Sequence, residues 1–150
     1  MDESGSIGTK EFDLMKSFLS QLVGRLDINS GNTRVGLVTY SPTITTSIDL
    51  NAGMSVAGLQ SAINSLTYRG GDTNTFLALE YVRTRILTSA AGDRSDVPNI
   101  VVVLTDGHSH NSTATKVSSK FTERFCHVSY ARQSIMGMQV VLAQCDVSVN

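Results

Sequence analysis

Residues 100–107 read Ile-Val-Val-Val-Leu-Thr-Asp-Gly, an apolar run that ends in a hydroxyl, a carboxylate and a glycine. The run lacks the alternation of a strand with one face in water, so it predicts a central strand covered on both faces by helices. In open α/β sheets, ligands bind beyond the carboxyl ends of such strands. The stretch therefore indicates a sheet layout and also the place, at Asp106, where a functional site is expected.

Helical patterns occupy much of the chain before this strand. Amphipathic spacing predicts helices over residues 9–27, 55–66 and 75–88, and Thr9 is expected to cap the first of them. After residue 111 the pattern weakens, and residues 112–125 could be a helix.

Extended segments alternate with these helices. Residues 33–40 and 43–48 are predicted strands, antiparallel to each other through a turn at Ser41-Pro42, and residues 140–143 could form a final strand. Helices that alternate with strands predict the α/β class with an open, mostly parallel sheet.

Composition limits the classes of function. The 150 residues carry 12 basic and 13 acidic side chains, a net charge of −1 that argues against a nucleic-acid or membrane-surface binder. No apolar run approaches the ~18 residues that span a bilayer, and the polar start MDESGSIG shows no signal peptide. Cys126 and Cys145 are too few for a disulfide scaffold; one bridge and two buried thiols both stay open.

Three oxygen-rich segments are expected to meet at one edge of the sheet: residues 2–6, 70–75 and 105–107. Together they supply carboxylates and hydroxyls from Asp2, Ser4, Ser6, Thr73 and Asp106. This hard-oxygen set suits Mg²⁺, Mn²⁺ or Ca²⁺ and suits zinc or copper poorly. Two histidines beside the third segment, His108 and His110, are expected to be solvated.

A plainer interpretation competes at each position. Asp2, Ser4 and Ser6 could be a helix N-cap cluster, Thr73 could cap the third helix, and Asp106 could be a turn residue. Two neighbouring acidic residues, Glu3 and Asp72, are expected to face solvent and are not counted as ligands.

The segments DESGSIG, GGDTNT and VVVLTDG, in this order, resemble the three metal-site segments of a von Willebrand factor type A (VWA) domain. Stretches such as RVGLVTYS and DVPNIVVVLTDG are similar to the extracellular-matrix branch, matrilin-like or collagen-VI-like. The resemblance covers residues 2–110 of what we expect to be a single domain over 1–150, and residues 111–150 diverge from it.

The resemblance implies a Rossmann-like fold with a metal-ion-dependent adhesion site (MIDAS). By position, the metal ligands would be Asp2, Ser4, Ser6, Thr73 and Asp106, and the cation would be Mg²⁺, or else Mn²⁺ or Ca²⁺. It further implies an open coordination position that accepts an acidic side chain from a protein partner, such as a matrix protein or collagen. An extracellular location follows from the same resemblance, while the charge balance and the lack of a long apolar run predict neither nucleic-acid binding nor membrane insertion.

The chain departs from the family pattern at both ends. The resemblance implies an apolar strand ahead of Asp2, where this sequence has only Met1, so the fold is expected to be incomplete. Residues 138–149 could supply a strand in the next family position or could fill that central slot.

The leading hypothesis is a non-enzymatic, cation-dependent protein-binding module. The alternative is a truncated VWA-derived scaffold without competent metal binding. A remote third is a Mg²⁺-dependent phosphoryl-transfer enzyme, against which the sequence shows no GxxxxGK[ST], GxGxxG or GxSxG motif and no credible general base.

Overall fold

A computed structural model of the chain describes residues 1–106 in full and the backbone of strands at 127–135 and 138–144. The helices are α1 (Thr9–Val23), α2 (Val56–Asn64) and α3 (Thr75–Tyr81), and α3 runs on into a π-helical turn, Val82–Ile86. A short 3₁₀ turn covers Ser89–Ala91. The strands are β1 (Leu37–Tyr40), β2 (Ile44–Ile48), β3 (Val101–Thr105), β4 (His127–Ile135) and β5 (Met138–Gln144).

The helices lie where the apolar spacing predicts them, but they are shorter and their caps differ. Helix α1 starts after Gly8, whose φ of 78° fills the cap position, so the expectation that Thr9 is the cap is wrong. At α2 the Ser55 side chain accepts a hydrogen bond from Gly58 N–H, and at α3 the Asn74 side chain accepts one from Leu77 N–H. Each cap satisfies a backbone donor that the first turn leaves without a partner.

The paired strands among the described residues form two small sheets. Strands β1 and β2 make the predicted antiparallel hairpin, with Leu37 opposite Ile48. In the second sheet β5 lies between β3 and β4 and is antiparallel to both. An isolated parallel bridge joins Asp2 to Tyr40.

The pairing of β5 with β3 shows which position in the sheet the segment that begins at residue 138 takes. Its residue Val140 lies opposite Leu104 of β3, whereas the carbonyl of Leu104 accepts a hydrogen bond from Asp2 N–H. A strand has two edges, so β5 pairs along the edge of β3 that faces away from Asp2. The hypothesis that this segment fills the central slot is therefore wrong: residues 138–144 add a strand antiparallel to β3, and the alternative of the next family position stays a prediction.

The core sits between α1 and the strand ends. One cluster joins Met1, Ile7, Phe12, Met15 and Leu104, and a second joins Val23, Ile28, Leu59 and Ile63 between α1 and α2. No helix in the described part of the chain is long and apolar enough to cross a membrane. The helix proposed for 112–125, both cysteines and the two histidines lie outside the described residues, so a single domain over 1–150 stays a prediction.

Candidate metal centre

The first site loop begins in a three-residue extended segment, Met1–Glu3, that lies between β1 and β3. Asp2 N–H donates to the Leu104 carbonyl at 2.9 Å, and Glu3 N–H donates to the Tyr40 carbonyl at 2.9 Å. Tyr40 N–H returns a hydrogen bond to the Met1 carbonyl at 3.1 Å. These bonds hold Asp2 at the carboxyl ends of both strands, the edge at which ligands are expected.

The Asp2 carboxylate is fully buried and held by both oxygens. Its Oδ1 accepts from Ser4 N–H at 2.9 Å, and its Oδ2 accepts from the Thr105 hydroxyl at 2.8 Å. A carboxylate oxygen has two lone pairs, so each keeps one for a cation or a water. The same turn brings the hydroxyls of Ser4 and Ser6 to 3.2 Å from each other.

Backbone hydrogen bonds tie the second site loop to the first. Gly5 N–H donates to the Gly71 carbonyl at 2.7 Å, and Gly70 N–H donates to the Glu3 carbonyl at 3.0 Å. Tyr68 adds a side-chain bond from its hydroxyl to the Ser4 carbonyl at 3.1 Å. The two loops are therefore joined along their length.

Ser41, at the end of β1, holds the second loop from the other side. Its hydroxyl hydrogen-bonds to the carbonyls of Gly70 and Asp72, the latter at 3.1 Å, and its own carbonyl accepts from Asn74 N–H at 3.0 Å. Thr73 lies between these anchored residues and is 9% exposed. The backbone bonds of its neighbours fix the position of Thr73, and within the described residues its side chain makes no hydrogen bond to Ser4 or Ser6.

The contact between the second loop and the end of β1 requires glycine at position 71. Its φ is +101°, and a Cβ built there would lie 2.9 Å from Ser41 Oγ and 3.0 Å from Pro42 Cδ. Such distances are closer than van der Waals contact allows, so only glycine lets the loop approach the end of β1.

Asp106 follows Thr105, the residue that donates to Asp2, and it is half-buried. The buried phenol of Tyr40 lies near both aspartates. Burial is the larger cause, and the negative charge of Asp2 the next, that raise the pKa of this phenol well above the usual range. The charge of Asp106 also raises the pKa of Tyr40, while hydrogen bonds with Thr75 and Thr105 lower it. The third segment thus lies close enough to act on the same phenol as Asp2.

Glu3 does not face solvent, which corrects the expectation for this residue. It is 2% exposed and is held between two elements, since its N–H donates to the Tyr40 carbonyl of β1 and its carbonyl accepts from Gly70 N–H of the second loop. Its Oε1 is buried and has no hydrogen-bond partner among the described residues. Asp72, by contrast, is exposed as expected.

The helix-capping interpretation of the site residues is wrong. The cap of α1 is Gly8, without a side-chain bond, and the cap of α3 is Asn74. Ser4, Ser6 and Thr73 therefore cap neither helix. In the described part of the chain no three His, Cys, Asp or Glu side chains form a metal-binding group, so the donors that a cation would find are mainly hydroxyls.

Three positioning residues escaped the sequence reasoning: Ser41, Thr105 and Tyr68. The first two follow or end strands at the same edge of the sheet as Asp106, and this was the signal that could have marked them. Tyr68 carried no signal, since its contact with Ser4 spans 64 positions of the sequence.

Comparisons with known proteins agree with this geometry. The family profile of the von Willebrand factor type A domain matches residues 1–129. The mouse collagen alpha-4(VI) chain is 40% identical over 111 residues, which is 73% of this chain and 5% of that protein. Mouse matrilin-1 is 37% identical over 115 residues, which is 75% of this chain and 23% of that protein. The chain thus spans a minor part of each relative's length.

Solved structures show the same fold. Crystal form 2 of proximal thread matrix protein 1 from the mussel byssus superposes with a TM-score of 0.66 at 24% identity, covering 79% of this chain and 32% of that one. Another structure of that protein, with a zinc-occupied MIDAS motif, has a TM-score of 0.57 at 27% identity and covers 64% and 26%. The profile match and these relatives show that this Rossmann-like α/β chain belongs to the von Willebrand factor type A domain family.

Proposed function

We propose that this chain is a non-enzymatic, divalent-cation-dependent protein-binding domain. Asp2, Ser4, Ser6, Thr73 and Asp106 would hold the cation, which would be Mg²⁺, or else Mn²⁺ or Ca²⁺. A bound cation would supply a positive centre that attracts a carboxylate of the partner protein.

The observation that carries the proposal is the paired arrangement of Ser4 and Ser6 beside a fixed carboxylate. Their hydroxyls lie 3.2 Å apart in a turn that the Asp2 carboxylate closes, and neither serine caps a helix. Oxygen donors of this kind suit a hard cation such as Mg²⁺. The structure of the mussel protein with a zinc-occupied MIDAS supports a divalent cation at such a motif.

Charge explains why the site would bind a partner. Neutral hydroxyls do not cancel the charge of a divalent ion, so an ion held mainly by the hydroxyls of Ser4, Ser6 and Thr73, with the aspartates acting through water, would still attract an external carboxylate. A carboxylate from the partner then completes the coordination. Glu or Asp on a matrix protein is the partner chemistry that fits.

The names of the relatives guide the choice of partner and location. Collagen and matrilin chains are among the proteins that match. We infer an extracellular setting and a matrix protein or collagen as the ligand, although this chain spans only 5–23% of those two relatives.

Thermal unfolding with Mg²⁺, Mn²⁺ or EDTA tests the site. A cation at 100 times its Kd stabilises by about 2.7 kcal/mol, which raises the Tm of a domain this size by about 5–10 °C. Asp106→Ala is expected to abolish the rise. Asp72→Ala is the matched control, because it removes an exposed carboxylate of the second site loop that is not a proposed ligand and should leave the rise unchanged.

The same measurements separate the other two hypotheses. No cation-dependent rise in the unsubstituted chain would support the scaffold without competent metal binding. Metal-dependent phosphatase activity that Asp106→Ala removes would instead support the enzyme. A rise that both aspartate variants retain would place the cation elsewhere.

A further inference from the structure

Backbone carbonyls in both site loops accept hydrogen bonds from the protein itself. Those that do so are the carbonyls of Glu3, Ser4, Gly70, Gly71 and Asp72. Glu3 and Gly71 accept from backbone N–H groups of the opposite loop. Gly70 and Asp72 accept from the Ser41 hydroxyl. A cation at the site would therefore compete with protein donors for each of these oxygens.

The Ser4 carbonyl holds two donors at once. Ile7 N–H donates to it at 3.1 Å, and the Tyr68 hydroxyl donates to it at 3.1 Å. A carbonyl oxygen has two lone pairs, so this one has none left for a cation. The hydroxyl of the same residue is a proposed metal ligand. The carbonyl would therefore be a close additional ligand if one of its donors were removed.

Helix α1 fixes the position of the Tyr68 hydroxyl. The ring of Tyr68 packs on that of Phe12, with centroids 5.7 Å apart and planes at 57°, and Phe12 is buried in the core. Lys16 of the same helix donates from Nζ to the Leu66 carbonyl at 3.2 Å, two residues before Tyr68. The hydroxyl is thus held against Ser4 by contacts that involve none of the proposed metal ligands.

Mg²⁺ and Ca²⁺ differ in the use that they make of backbone carbonyls. Ca²⁺ takes about six to eight oxygen ligands and accepts backbone carbonyls among them, whereas Mg²⁺ demands an octahedral set and keeps several waters. Three hydroxyls, two aspartates acting through water and one carboxylate of the partner would already make an octahedral set. A larger ion that takes further protein oxygens would find the Ser4 carbonyl occupied.

We propose that Tyr68 sets the cation preference of the metal centre: its hydroxyl occupies the Ser4 carbonyl and so denies Ca²⁺ an additional ligand that Mg²⁺ does not need. Tyr68 is a positioning residue, since it acts through Ser4 and touches no cation itself. The inference rests on the proposed function, because it requires a cation at the proposed ligands. It goes further by assigning the choice between cations to one side chain.

Calorimetric titration of the 150-residue chain with MgCl₂ and with CaCl₂ gives the ratio of the two dissociation constants. Tyr68→Phe keeps the ring on Phe12 and removes the hydroxyl that donates to Ser4. The ratio of the Ca²⁺ to the Mg²⁺ dissociation constant should fall about threefold to tenfold in this variant, the worth of one net hydrogen bond. Tyr68→Leu also lacks the hydroxyl and should show the same fall, although loss of the ring makes it less stable.

Tyr81→Phe is the matched control. The Tyr81 hydroxyl lies 3.2 Å from that of Ser47 on β2, which belongs to neither site loop, so its removal should leave the ratio unchanged. The luminescence lifetime of bound Tb³⁺ supplies a second measurement, since it counts the waters on an ion that resembles Ca²⁺. Tyr68→Phe should carry about one water fewer than the unsubstituted chain, because the Ser4 carbonyl takes its place.

The outcomes separate this inference from the proposed function. An unchanged ratio in both Tyr68 variants, even with both cations bound more weakly, would overturn the inference and leave the function standing, because loosened loops alone give that result. An equal fall in Tyr81→Phe, or an equal water count on Tb³⁺, would overturn it as well. If the unsubstituted chain binds neither cation, the proposed function fails and the inference fails with it.

Discussion

Replacing Gly71 with alanine should damage the candidate site through the second loop. The backbone φ of +101° costs an L-residue about 1–2 kcal/mol. The added Cβ also meets Ser41 Oγ at 2.9 Å and Pro42 Cδ at 3.0 Å, and relief of such overlap costs about 1–3 kcal/mol. The two costs together predict a loss of about 2–5 kcal/mol in the free energy of unfolding.

Gly31→Ala is the matched control. Gly31 has a φ of +82°, but a Cβ there meets nothing within 4 Å, so only the backbone cost applies. Both variants gain the same stabilisation from a stiffer unfolded chain, which cancels when they are compared. Gly71→Ala should therefore be less stable than Gly31→Ala by about 1–3 kcal/mol.

Equilibrium urea unfolding in EDTA measures this difference. The slopes of the transitions should agree, so that the midpoints report stability alone. Repetition with Mg²⁺ should show a smaller cation-dependent gain for Gly71→Ala than for Gly31→Ala, because only the first displaces the loop that carries Thr73. Equal losses in EDTA would refute the steric reasoning; equal cation responses would show that this loop does not position the site.

Three further outcomes are expected. Burial, opposed by the charges of Asp2 and Glu3, lowers the pKa of the Met1 ammonium to about 6, so the unfolded chain holds more protons between pH 8 and 6. In EDTA, stability should fall by about 2–3 kcal/mol as pH drops from 8 to 6 and then level off, a slope that the Nα-acetylated chain should lack. Thr105→Val should cost about 1–3 kcal/mol in urea unfolding by leaving Asp2 Oδ2 without its donor, whereas Thr105→Ser should cost far less. Glu3→Met should raise the unfolding free energy by about 1–3 kcal/mol, because it removes a buried oxygen without a partner; a lower urea midpoint would show that the carboxylate has one.

Local pattern was sufficient for the helices and the hairpin. The apolar spacing of Phe12 and Met15 predicted the buried face of α1, and β-branched residues with Ser41-Pro42 predicted the β1–β2 hairpin. The cap and the C-terminal boundary were less accurate, since Gly8 and not Thr9 caps α1, and the helix ends at Val23 and not at residue 27. A glycine cap makes no side-chain bond, so a search for capping side chains passes over it.

Long-range contacts were beyond the sequence. The hydroxyl of Thr105 meets Asp2 across 103 positions, and Ser41 meets Gly70 across 29. Local spacing carries no information about such distant partners. For the same reason the sequence predicted a solvated Glu3, whereas the side chain is buried. The motif residues themselves were recognisable because three short segments each carry their own pattern. The contacts that position these segments appear only when the strand ends meet.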